Sequence, residues 1–66
     1  MKIILNGDAV ELERAYTISE LITKYDMKKE TVVVELNGDL PDKATYDETF
    51  TKEGDKIELI RFVGGG

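Results

Sequence analysis

The dipeptide Asn6-Gly7 sits between two short β-forming runs, Ile3-Ile4-Leu5 and Ala9-Val10-Glu11-Leu12. Such an arrangement is the strongest short-range signal for a β-hairpin, because the tight turn needs positive φ at both central positions. In the second run Val10 and Leu12 alternate with Glu11 and Glu13, so one face of the hairpin is apolar and the other wet. With only 66 residues, the chain must build a single core on that apolar face. A domain of this size buries only about 60% of its unfolded surface, which leaves no room for a deep catalytic cleft.

The next segment changes period. Thr17 is placed to cap a helix, and Glu20, three residues on, completes a capping box. Tyr16 and Leu21 occupy the two positions of a hydrophobic staple. Ile18, Leu21, Ile22 and Tyr25 follow the spacing of one helical face, which assigns them to the core. Lys24, Lys28 and Lys29 lie at or past the C-terminal end, where the helix dipole favours cations. Thr31-Val32-Val33-Val34-Glu35-Leu36 reads as a third strand, ended by Asn37-Gly38. Residues 39–55 are mostly polar, with Leu40, Tyr46 and Phe50 expected as the apolar anchors of an irregular segment. Gly54-Asp55 turns into Lys56–Val63, the last strand. There Ile57 and Leu59 are assigned to the core, and Glu58, Ile60 and Phe62 to the opposite face. One helix laid across a mixed sheet of four to five strands follows, an α+β fold.

Composition narrows the chemistry. Without Cys or His the chain has no thiolate nucleophile, no imidazole base and none of the usual zinc ligands. The acidic group Asp39, Asp42, Asp47 and Glu48 lacks the spacing of a calcium loop and reads as a solvated segment, so no metal site is assigned. A net charge of −5 makes nucleic acid a poor partner and a basic protein surface a good one. No apolar run is long enough to span a membrane and no export signal opens the sequence, so a cytoplasmic protein is expected.

The end of the sequence stands apart. After Val63 come Gly64, Gly65 and Gly66, expected as a flexible tail reaching about 10 Å beyond the fold. Two readings of this tail stand. It is a frayed end, or it threads through a channel too narrow for side chains and places the Gly66 carboxylate in a partner's active site. Ile60 and Phe62, beside the tail, would then form a docking patch that Ile4 could join. Glu11, Glu13 and Glu58 would surround it and steer a basic surface.

Across all 66 residues the sequence resembles the ThiS-type sulfur carriers of thiamine biosynthesis, within the ubiquitin-like β-grasp fold. The resemblance is carried by Ile3-Ile4-Leu5-Asn6-Gly7, Thr17-Ile18-Ser19-Glu20-Leu21-Ile22, Val32-Val33-Val34-Glu35-Leu36-Asn37-Gly38-Asp39 and the run from Glu53 to Gly66. It implies a single ubiquitin-like domain over residues 1–66 that is a carrier and not an enzyme, with no bound cofactor. With the hairpin–helix–strand–strand order, the β-grasp topology puts the first and last strands adjacent and parallel, and the apolar content of Ile3, Leu5, Ile57 and Leu59 suits them to the centre. An E1-like adenylating enzyme of the ThiF type would use Mg-ATP to convert the Gly66 carboxylate to an acyl adenylate. A cysteine desulfurase or other persulfide donor would supply sulfur to make a thiocarboxylate, which a thiazole synthase of the ThiG type would consume. The small subunit of molybdopterin synthase is the nearest alternative, although Arg61-Phe62-Val63 lacks the prolines of that family. A ubiquitin-like docking module with an unactivated tail is the alternative from another class.

Overall fold

The computed structural model describes residues 1–62, so the expected end of the last strand at Val63 and the tail Gly64 to Gly66 lie outside the described residues. Strands β1 (Lys2–Leu5) and β2 (Asp8–Glu11) form the antiparallel hairpin, with Ile3 opposite Val10 and Leu5 opposite Asp8. Its turn has φ of 49° at Asn6 and 86° at Gly7, the left-handed pair that Asn-Gly tolerates at low cost.

Helix α1 (Ile18–Lys24) starts as the sequence predicts. The Glu20 amide donates to the Thr17 hydroxyl at 3.0 Å, and the Thr17 amide donates to the Glu20 carboxylate at 2.9 Å. The helix ends at its cap Tyr25, and Asp26 just beyond takes φ of 60°. There the Asp26 amide donates to the Thr23 carbonyl and the Met27 amide to the Ile22 carbonyl, both at 3.0 Å. Those two bonds form a Schellman motif, which satisfies carbonyls that the helix leaves open.

Strand β3 (Val32–Leu36) follows a short 3₁₀ turn at Lys29–Thr31, and β4 (Lys56–Arg61) closes the sheet. The order is β2-β1-β4-β3: β4 runs parallel to β1 and antiparallel to β3. First and last strands therefore occupy the centre, as expected, in a sheet of four strands. Ile3, Ile57, Val32 and Val34 point from the sheet onto Ile18, Leu21 and Ile22 of the helix side, and all are buried. Among the described residues no helix is long and apolar enough to cross a membrane.

The segment between β3 and β4 departs from expectation. Of its three apolar anchors only Tyr46 is buried; Leu40 is 70% exposed and Phe50 53%. Phe50 is tied through its backbone, in an isolated bridge to Thr17, which leaves its ring outside. The buried position next to it belongs to Thr51, whose hydroxyl accepts the Tyr16 amide at 3.0 Å and whose amide donates to the Tyr16 carbonyl at 2.8 Å. Leu40 follows an aborted hairpin in which Leu36 and Asp39 pair across Asn37-Gly38. Pro41 comes directly after and cannot donate to a further ladder.

Candidate functional site

Strand β4 carries two faces that diverge completely. Ile57 and Leu59 are sealed under α1, while Ile60 and Phe62 are 47% and 39% exposed on the face without a helix. The Arg61 guanidinium, between them in sequence, points the other way and donates to the Asp26 carbonyl at the helix end at 3.3 Å. Phe62 still belongs to the ladder, because its amide donates to the Thr31 carbonyl at 3.0 Å. The open face thus keeps its register up to the last described residue.

Val33, 39% exposed, is the direct cross-strand partner of Ile60 and completes an apolar group of three with Phe62. The sequence pattern contained this signal, since Val33 has opposite parity to the buried Val32 and Val34, but an unbroken valine run conceals which face is open. Ile4 does not reach the group. Its register partner on β4 is Lys56, four residues before Ile60, or about 13 Å along the strand. Glu13 also leaves the expected rim: it lies beyond β2 and accepts a hydrogen bond from the Tyr16 phenol on the helix side. Its place beside Glu58 is taken by Glu35, directly opposite across the β3–β4 ladder. Glu11 is held at the far edge by the Met1 ammonium group at 2.9 Å.

Two asparagine side chains fix β4 in place. The Leu59 amide donates to Asn6 Oδ1 at 2.8 Å, and Asn6 Nδ2 donates to the Leu59 carbonyl at 3.3 Å, so Asn6 extends the ladder where β1 ends. From the opposite edge Asn37 Oδ1 accepts the Lys56 amide at 2.8 Å, and its Nδ2 donates to the buried Asp55 at 3.1 Å. Both turns of Asn-Gly sequence therefore brace the strand that leads to the glycines.

The remaining polar clusters have structural work. Asp42 caps the 3₁₀ turn Lys43–Thr45 by accepting the Ala44 amide at 3.0 Å. Asp47 accepts from the Ser19 hydroxyl and lies 3.8 Å from the Lys29 ammonium, and these hold its carboxyl below its ordinary value. Arg14 stacks 3.9 Å from the centre of the Tyr16 ring and pairs with Glu20 at 3.2 Å. The hydrogen bond from Tyr16 lowers the Glu13 carboxyl and raises the phenol. Among the described residues no three acidic side chains converge on a possible metal site.

A four-stranded mixed sheet with parallel first and last strands, crossed by one helix, defines a ubiquitin-like β-grasp domain. Its coordinates superpose on the crystal structure of the thiamine biosynthesis protein ThiS from Geobacter metallireducens with a TM-score of 0.84, at 32% identity and with 100% of both chains covered. The ThiS family model matches residues 3–66, and the chain belongs to that family. It is 36% identical over 63 residues to the sulfur carrier protein ThiS of Bacillus subtilis, covering 94% of this chain and 96% of that one. It is also 30% identical over 66 residues to a thiazole synthase of Paramagnetospirillum magneticum, of which the chain spans only 20%.

Proposed function

We propose that this protein is the sulfur carrier of thiamine biosynthesis and that its cargo rides on the α-carboxylate of Gly66. The observation that carries this reading is that the family match extends through Gly66, taking in all three closing glycines. The similarity of the whole chain to a segment of a thiazole synthase supports an enzyme of that type as the acceptor of the sulfur.

A carboxylate does not exchange oxygen for sulfur unaided, so an activating partner of the E1-like type supplies Mg-ATP. The carboxylate displaces pyrophosphate and becomes an acyl adenylate. The terminal sulfur of a persulfide, delivered by a cysteine desulfurase or another donor, then displaces AMP. A thiol cleaves the resulting acyl disulfide and releases the thiocarboxylate. The protein is a co-substrate in each step, while the catalytic groups belong to its partners. Gly64 and Gly65 pass through the narrow approach to the partner's active site, and Ile60 and Phe62 anchor the docked domain.

Incubation with the adenylating enzyme, Mg-ATP and a persulfide donor tests this reading by intact mass. The expected product is heavier by the difference between one sulfur and one oxygen atom, and removal of Gly66 abolishes the gain. An unchanged mass for the chain with Gly66 in place assigns it to docking alone.

A further inference from the structure

Two like charges stand side by side on the open face. Glu35 and Glu58 are direct partners across the antiparallel β3–β4 ladder, and both are half-buried. Side chains in that relation start about 5 Å apart, where equal charges destabilise a sheet. None of the three ion pairs among the described residues involves either glutamate. Lys56 shares the face two residues earlier on β4, but its ammonium group is in none of those pairs. The next pair toward the chain end is Val33 with Ile60, followed by Phe62. Along β4 the face therefore presents an acidic pair, an apolar pair and an aromatic ring.

We infer that this face seats a basic protein surface that inserts an arginine between Glu35 and Glu58 and covers Val33 and Ile60 with apolar side chains. The inference rests on the carrier reading and names the chemistry of the partner that engages it. A guanidinium offers a planar fork of donors that two neighbouring carboxylates can share. Its arrival sets one positive charge against both carboxylates, where the free sheet holds like charges opposite each other. The net charge of −5 draws a cationic surface toward the domain. A second copy of this chain is a poor occupant, because a two-fold contact would bring two copies of this acidic pair into one interface.

The test uses the full chain with Glu35→Gln and Glu58→Gln, titrated calorimetrically into the adenylating enzyme of the same organism at low and high salt. Each substitution is expected to weaken binding about tenfold and to flatten its salt dependence. Each free variant is expected to melt at the parent's temperature or above. Unchanged affinity overturns the inference, as does a loss of binding accompanied by a comparable loss of stability. If the enzyme, given Mg-ATP and a persulfide donor, loads the parent with sulfur while binding ignores both glutamates, this inference alone falls. If the parent is neither bound nor loaded, the carrier reading falls with it. A parent chain that sediments as a dimer through this face also overturns the proposal.

Discussion

Ile57 and Ile60 stand three residues apart on one strand, with the same side chain and the same backbone conformation. Ile57 has no exposed surface, whereas almost half of Ile60 faces water. On the first face the helix supplies Ile18, Leu21 and Ile22 as partners; on the second no element of the described chain crosses the sheet. Among the described residues α1 is the one α-helix, and it covers one side only. The core side holds the fold together, and the exposed side is left apolar beside the segment that carries the glycines.

The sharpest way to break this comparison is truncation on each face. Ile57→Ala should lower the free energy of unfolding by about 2–5 kcal/mol, measured by urea denaturation, because it opens a cavity among closely packed neighbours. A loss below about 1 kcal/mol would show that β4 is not anchored through this face. Phe62→Ala should weaken binding to the adenylating enzyme by about 1–3 kcal/mol while leaving the melting transition nearly in place. Unfolding of that variant would move Phe62 into the core and erase the distinction between the faces.

Asn6→Ala comes next, at about 1–2 kcal/mol of stability, since it removes both bonds to Leu59 and puts alanine at positive φ. An effect confined to a few tenths of a kcal/mol would mean that the turn backbone alone sets the position of β4. The smallest effect is that of pH. The carboxyls of Glu11, Glu13 and Glu20 lie below their ordinary value of 4.5, chiefly through hydrogen bonds from the Met1 ammonium, the Tyr16 phenol and the Thr17 amide. A carboxyl lowered by folding stabilises the folded state fully above its unfolded value and loses that contribution as pH falls through the lower, folded one. Stability should therefore hold at neutral pH and decline in acid below 4.5, with a shallow slope because all three groups are exposed. Burial raises the Tyr46 phenol above 10.0, so its contribution is present below that value and disappears as pH rises past it.

The elements governed by local rules were legible in the sequence. The Asn6-Gly7 turn, the Thr17–Glu20 box and the parity of Ile57 against Ile60 each depend on residues only a few positions apart. The parallel β1–β4 pairing was accessible through element order and family resemblance, since no local rule brings residues 4 and 56 together. Hydrophobicity failed where the backbone decides. Phe50 is outside because its main chain pairs with Thr17, and Thr51 is inside because its hydroxyl and amide meet Tyr16. On the candidate docking face, Val33 was hidden in a uniform valine run, and Ile4 was misplaced because parity fixes a face but not a distance along it. Glu35 emerged only from the β3–β4 register.

The central position of β4 also governs when the molecule can form. The hairpin β1–β2 and the helix are complete within the first 24 residues, yet the strand that joins them to β3 comes last. During synthesis the early elements must wait as loosely associated pieces, because the contacts that would fix them span nearly the whole length of the chain. Closure of the sheet therefore waits for β4, and the hairpin and helix gain fixed positions only once Lys56–Arg61 are in place.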